Sequence, residues 1–407
     1  MSYNLEAVRK AVTDAGLDPA TAGRYDLGRV LGISEWKARE LAAQLKGKAK
    51  AKVETPPLDP IEEHKLQKEN RELRRQLKET LEKQVVNQRY QDFIAEIAAK
   101  PICQPAWLTK QPSYKKHTVT PTAFLSDTHF GEVVSAPEVN WANKYDVSIA
   151  ELRLRNFFHN TIKFAHKYLH GMDYTGIVLA LGGDLFSGNI HDELKETNEQ
   201  TIGEAILHWL GPMEAGIKLL ADAFGKVYLP CVVGNHPRNT QKPRHKMRVR
   251  DNFDWLFYRL LERNITGDKR VTFDVSESSD FYYQVFGTRY CLTHGDQFRG
   301  GSGISGILTP VTLGDSRKRK RSQSIQLPYD YLLMGHWHQL LWLKKAIVNG
   351  SMKGFDEFAL DNNYDYEPPQ QAFWITDPQH AVTLHAPIFV EDDAEGWRKP
   401  VPHVATV

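Results

Sequence analysis

Thiols are scarce in this chain. Three cysteines, Cys103, Cys231 and Cys291, are spread through 407 residues with no C-x-x-C spacing. That excludes a disulfide-stapled scaffold and a zinc ribbon, and it points to a reducing compartment. Long apolar runs are missing too. No stretch approaches the roughly 20 residues a membrane helix needs, and the run around Ile177–Leu181 reads as a buried strand. Met1 to Lys10 carries charges but no apolar h-region, so no secretory signal is expected. These absences together predict a cytoplasmic protein without membrane contact. Nor is there an excess of charge of either sign. Lys plus Arg number 52 against 50 Asp plus Glu, a net charge of +2, and such a balance names a partner only through its distribution.

Apolar residues make up 41% and charged residues 25% of the chain, ordinary values for a globular protein with a real core. Three segments are expected: 1–50, 51–100 and 101–407. The first reads as short helices, with Asn4 to Ala15 amphipathic and Tyr25 to Leu31 a second apolar-periodic stretch. Gly32-Ile33 then forms a turn and Ser34 caps a third helix running to about Leu45. Ten basic residues against six acidic ones lie between Met1 and Val53. The stretch Leu27-Gly28-Arg29-Val30-Leu31-Gly32-Ile33-Ser34 resembles a helix-turn-helix, which implies that Glu35, Trp36, Lys37 and Arg39 face DNA. A small helical adaptor with a solvated basic face is the alternative. Lys46 to Pro60 reads as a linker, and a long charged helix follows. Its Leu66, Asn70, Leu73 and Leu77 fit a and d positions, so residues 61–85 are a candidate homodimer contact or a solvated connecting helix.

From about Pro101 onward the pattern becomes α/β. Apolar strands are expected at Val119–Ser126, Gly176–Leu181, Val227–Val233, Tyr290–Thr293 and Tyr331–Met334. Helices are expected at Ile149–Leu169 and Thr201–Phe224, and further antiparallel strands from Trp342. Each of the five strands ends in a polar cluster, where α/β proteins build sites. In order these are Asp127-Thr128-His129, Gly183-Asp184, Gly234-Asn235-His236, His294-Gly295 and Gly335-His336-Trp337-His338. They supply two carboxylates, one amide and five imidazoles. Such a thiolate-free set suits catalytic Mn, Fe, Zn or Co rather than structural zinc, and manganese is expected first. In extended backbone, residues i and i+2 point the same way, so Asp127 with His129, and His336 with His338, can converge on one ion or splay toward two.

This set resembles the metallophosphoesterases, also called calcineurin-like phosphoesterases, whose signature runs D-x-H, G-D, G-N-H, H, G-H-x-H. All five parts stand in order between Asp127 and His338. The resemblance implies a β-sandwich flanked by helices, preceded here by the helical module and linker helix. It also implies two divalent metal ions. Asp127, His129 and His338 would hold the first, Asn235, His294 and His336 the second, and Asp184 would bridge them. His236 would face the substrate as the catalytic residue, giving a proton to the leaving oxygen or stabilising charge on it. Ser126-Asp127-Thr128-His129-Phe130-Gly131 and Gly182-Gly183-Asp184-Leu185-Phe186 look like the first two motifs of SbcD-type DNA-repair nucleases. The overall layout is similar to helix-turn-helix-linked phosphoesterases of phages and prophages. Pro237 follows His236 where those nucleases carry an acidic residue, which leaves the histidine without an orienting carboxylate in the sequence. His191 is the nearest histidine after the second motif, as a substrate contact or a solvated loop residue.

Basic residues flank the motifs. Six stand between His236 and Arg250 with no acidic one, and Arg317 to Arg321 is unbroken. With Arg299 in a glycine-rich loop, they fit a polyanion, whose phosphates bind cations without regard to sequence. Arg238, Arg244, Arg299 and Arg319 join Lys37 and Arg39 as candidate nucleic-acid contacts. The expected function is metal-dependent phosphodiester hydrolysis, most simply by a DNA nuclease. The alternatives are an enzyme of small nucleotides or phosphomonoesters, and a non-catalytic DNA-binding regulator.

Overall fold

The computed structural model describes residues 4–45, 64–65, 68–76, 78, 88, 104–110, 118–300 and 306–391. The chain divides into two units, Met1–Tyr90 and Gln91–Val407. In the first, helices α1 (Leu5–Asp14), α2 (Arg24–Leu31) and α3 (Glu35–Leu45) enclose a small core of Val8, Val12, Leu27, Ala38, Leu41 and Leu45. The Asn4 side chain caps α1 by accepting from the Glu6 amide at 3.0 Å. Gly32 ends α2 in a left-handed conformation (φ 60°) that an ordinary side chain disfavours. Trp36, Lys37 and Arg39 are exposed on α3. Asn70 and Leu73 are exposed on the helical stretch 68–76, while Leu66, Leu77 and the 46–60 linker lie outside the described residues.

Strand alternation organises the second unit. One sheet contains β1 (Thr118–Leu125), β2 (Asp173–Tyr174), β3 (Ile177–Leu181), β4 (Val227–Cys231), β5 (Val271–Val275), β11 (Gln370–Asp377) and β12 (Ala381–Phe389). Its order is β12-β11-β1-β3-β4-β5, with β2 beside β1. The other contains β6 (Asp280–Val285), β7 (Thr288–Thr293), β8 (Tyr331–Met334), β9 (Leu341–Leu343) and β10 (Ala346–Val348), in the order β6-β7-β8-β10-β9. Strands β1, β3, β4 and β5 run parallel, as do β7, β8 and β10. Successive side chains point to opposite faces. Val178, Ala180 and Tyr228 therefore meet Tyr283, Tyr290, Leu292, Leu333 and Ile347 between the sheets. Their neighbours Ile177, Leu179, Leu181, Val227 and Leu229 pack outward against helices Val147–Lys163, Ile202–Phe224 and Phe253–Ile265. On the far side, Cys291, Leu332, Met334, Ala346 and Val348 pack with Val311 of helix Leu308–Ser324. The result is a two-sheet sandwich flanked by helices, as expected from the sequence.

Three local differences stand out. Helix Val147–Lys163 passes into a π-turn at Phe164–Tyr168 rather than continuing regularly to Leu169. The tail is not purely antiparallel, because β10 joins β8 in parallel and a short helix, Glu357–Asp361, precedes β11. The Arg317–Arg321 run lies inside helix Leu308–Ser324, where much of its charge is neutralised internally. Lys318 is 5% exposed and pairs with Asp280, which Arg321 also contacts. Among the described residues, no helix is long and apolar enough to cross a membrane.

Candidate metal centre

Two parallel strands deliver the first two motifs side by side. Beyond β1 and β3 the chains stay paired, with the Asp127 amide donating to the Gly183 carbonyl at 3.1 Å and the His129 amide to the Asp184 carbonyl at 3.2 Å. Asp127, His129, Asp184, His336 and His338 all have positive φ, between 47° and 73°. Non-glycine residues rarely adopt that conformation, and such strain concentrates at functional sites. Two glycines make room for the carboxylates. A Cβ on Gly234 would stand 1.9 Å from Asp184 Oδ1, and one on Gly335 would stand 2.2 Å from Asp127 Oδ2.

The seven expected ligands converge. Asp127, His129 and His338 offer donor atoms within 4.8 Å of one another, as do Asp184, His294 and His336. A third such group, His129, Asp184 and His236, overlaps both neighbourhoods. His129 Nε2 lies 3.1 Å from His338 Nε2, and His294 Nε2 lies 3.1 Å from Asn235 Oδ1 and 2.9 Å from Asp184 Oδ2. His338 Nε2 stands 3.5 Å from Asp127 Oδ1.

Outer partners set which ring nitrogen faces inward. His294 Nδ1 is 2.9 Å from the Gly182 carbonyl and His236 Nδ1 is 3.1 Å from the Ser187 carbonyl. A carbonyl only accepts, so both rings carry hydrogen on Nδ1 and turn Nε2 to the centre. His129 Nδ1 lies 2.9 Å from Glu132 Oε2, bent away from hydrogen-bond geometry. Glu132 in turn binds Lys353 Nζ at 2.7 Å, and Lys353 also contacts Asp356 at 2.5 Å. A donor set of imidazoles, carboxylates and an amide, with Nε2 atoms aimed at shared points, fits divalent cations.

Charge follows the same geometry. Burial works to raise Asp184, yet His294 and His236 hold it well below the usual carboxylate range. Asp127 is likewise lowered against burial, by His338 and His294. Burial pushes His236 down to about 3 and His336 down to about 4. His294 is also pressed down by burial, but Asp184 and Asp127 lift it to about 10. A divalent cation satisfies these carboxylates while leaving the imidazoles neutral, the form in which histidine ligates.

Several contributors carried no motif. Asp254, at the start of helix Phe253–Ile265, accepts the amides of Asp184 (2.9 Å), Leu185 (3.2 Å) and Gly234 (2.9 Å). Burial and the Asp184 charge raise it to about 7. Its only sequence signal is a helix start, with Asn252 as cap. The Ser187 carbonyl supplies the orientation of His236 that Pro237 denies it in sequence. Lys353 and Asp356 follow no motif at all, and Glu132 is marked only by its place three residues beyond His129.

The candidate polyanion contacts divide. Arg244 and Arg299 are exposed, and Arg299 lines the cavity at the centre. Arg238 instead turns its guanidinium onto the carbonyls of Asn235, Thr240 and Gln241, bracing the loop after His236. Arg319 pairs with Asp315 and donates to the carbonyls of Tyr329 and Lys345. Those two side chains are engaged within the fold. Arg248 pairs with Asp296 and Arg250 with Glu277. His191 lines the same cavity, its ring centroid 5.9 Å from that of His236.

No family model matches the chain, and no curated protein matches it. Solved structures do overlap it, among them the following three. A predicted phosphoesterase from Streptococcus pneumoniae TIGR4 is 12% identical, with a TM-score of 0.25 over 66% of this chain and 97% of its own. Vacuolar Protein Sorting 29 from Cryptosporidium parvum is 12% identical, with a TM-score of 0.27 over 66% and 96%. The sulfate thiohydrolase SoxB of Thermus thermophilus is 10% identical, with a TM-score of 0.26 over 69% and 58%.

Proposed function

We propose that this protein is a metal-dependent phosphodiesterase acting on DNA. The observation that carries the reading is the pair of His/Asp groups, Asp127–His129–His338 and Asp184–His294–His336, within one buried centre. In this reading Asp184 is shared, Asn235 completes the second group, and manganese is the first ion to test, with iron, zinc and cobalt compatible. Two divalent ions bound there would polarise a phosphoryl oxygen and acidify a water. The chain's own residues do the rest. Glu132 and the Gly182 carbonyl hold His129 and His294 in register, and the Ser187 carbonyl fixes His236. A bound phosphate's negative charge favours protonated His236, whose Nε2 then gives its proton to the leaving oxygen.

DNA is favoured by cations near the centre. Lys242, Arg244 and Lys246 are exposed on the segment after His236, and Arg299 lines the cavity. We assign Lys37 and Arg39 to a second DNA contact, and residues 61–85 to a homodimer. The test is cleavage of end-labelled single- and double-stranded DNA with Mn²⁺, with Asp184→Ala and a chelator as controls. Cutting lost in both controls supports a nuclease. Hydrolysis of aryl phosphodiesters without DNA cutting moves the substrate to small nucleotides.

A further inference from the structure

The centre opens into a cavity of about 680 Å³, within the roughly 300–1,000 Å³ range of small-ligand sites. Its lining is of two kinds. His129, Asp184, Asn235, His236, His336 and His338 supply the chemistry, while Trp337, Phe355, Phe358 and Tyr364 supply flat apolar surface. Phe358 is 64% exposed on helix Glu357–Asp361, a helix that buries none of its residues. Its ring meets Tyr364 edge to face at 5.9 Å, which leaves ring surface toward solvent. An aromatic side chain kept exposed beside a polar centre has no role in the core.

This helix is mechanically tied to the centre. Asp356 caps it by accepting the Ala359 amide at 2.8 Å. The same carboxylate contacts Lys353, which binds Glu132, which stands against His129. The position of Phe358 is therefore set by the chain of charges that sets a candidate ligand. Glu193, Gln339, Asp365 and Glu367 also line the cavity. An acyl chain would desolvate those polar groups without pairing them, at a cost. A nucleobase lays its face on an aromatic ring and offers amino and carbonyl edges to carboxylates and amides.

We infer that Phe358 and Tyr364 seat an unpaired nucleobase beside the scissile phosphate. The substrate is then a nucleotide whose base is free of a duplex stack, either a single-strand end or a free nucleotide ester. A base within a duplex exposes only its edges, and its face becomes available only after unstacking. The inference rests on the phosphodiesterase reading.

The experiment compares kcat/KM of the Mn²⁺-loaded full chain on thymidine 5′-(4-nitrophenyl) phosphate and on ethyl 4-nitrophenyl phosphate. Both release the same leaving group, and only the first carries a base. A preference of roughly tenfold for the nucleoside ester is expected, the scale of base–aromatic stacking. Phe358→Ala should lower that preference severalfold, chiefly through KM, and Phe358→Trp should restore it. Equal rates on the two esters, or a Phe358→Ala loss shared equally between them, would overturn the base seat while the phosphodiesterase stands. Failure to hydrolyse either ester would overturn both. A matched single-stranded oligonucleotide and blunt duplex separate the sources. A Phe358→Ala loss on the single strand assigns the seat to strand ends, and a loss confined to the mononucleoside ester assigns it to free nucleotides.

Discussion

The His236 amide donates to Asp184 Oδ1 at 2.8 Å, joining the second and third motifs across 52 residues of sequence. The other oxygen of the same carboxylate faces His294 Nε2 at 2.9 Å. One side chain thus orders the loop that carries the proposed acid and presents a candidate ligand atom to the centre. Asp184→Ala removes both functions. It should reduce bound metal, counted per chain by elemental analysis, and lower phosphodiesterase activity by at least about a thousandfold, as expected when a shared ligand is lost. Full activity with undiminished metal would refute the two-ion reading.

His236 Nδ1 is engaged by the Ser187 carbonyl. If its Nε2 serves the substrate rather than an ion, His236→Ala should keep the metal content of the wild type, and a fall in metal would instead make it a ligand beside His129 and Asp184. Turnover on alkyl leaving groups should fall by about 10²–10⁴, the usual range for general acid catalysis. Loss on 4-nitrophenyl esters should be much smaller, because 4-nitrophenolate leaves without a proton. Equal losses on both classes would remove the acid role.

Glu132 stands against His129, and Lys353 binds Glu132. Glu132→Gln should weaken metal binding by about 10–100-fold, the usual effect of an outer partner, read by competition with a chromogenic chelator. Lys353→Met leaves Glu132 and Asp356 buried without their cation. Its unfolding free energy should fall by about 3–5 kcal/mol in chelator, the scale for breaking a buried pair. Unchanged metal affinity in Glu132→Gln would show that His129 holds its orientation without the carboxylate.

Asp280 makes acid stability testable away from the centre. Burial would raise its carboxyl, but Lys318 and then Arg321 hold it below the ordinary value. Because the folded-state pKa is depressed, its contribution is fully present above the unfolded value of about 3.9 and disappears as pH falls through the folded one. Asp280→Asn should therefore lower Tm at pH 7, where it strands the buried Lys318, and the gap to wild type should narrow as pH falls below about 4. A constant gap across that range would show that the Asp280 charge adds nothing to stability.

If α3 contacts DNA, Lys37→Glu with Arg39→Glu should weaken DNA binding. The slope of log affinity against log salt should become shallower by about 0.9 for each phosphate no longer neutralised. Rates on small aryl diesters should not change. An unaltered slope would take α3 out of the interface.

The sandwich and the convergence of the motif side chains were legible because both depend on local pattern. Strands β1, β3, β4, β7 and β8 show as short apolar runs, and each expected ligand follows its strand within a few residues. Parallel pairing then brings such strand ends together, so order along the chain is enough to nominate Asp127, Asp184, Asn235, His294 and His336. Charge was less legible. Composition marks Lys318, Arg319 and Arg238 as cations but says nothing of Asp280, 38 residues from Lys318, or of the carbonyls beside Arg238.

By itself, the sequence determined which elements form and which donor atoms stand at their ends, since hydrophobic period and turn residues act over a few positions. Only the tertiary structure decided what holds those donors in place. Asp254 reaches Asp184 across 70 residues, and Lys353 reaches Glu132 across 221. A buried carboxylate or ammonium is stable only where partners converge on it from several segments. That convergence is a property of packing in three dimensions, and no local pattern along the chain encodes it.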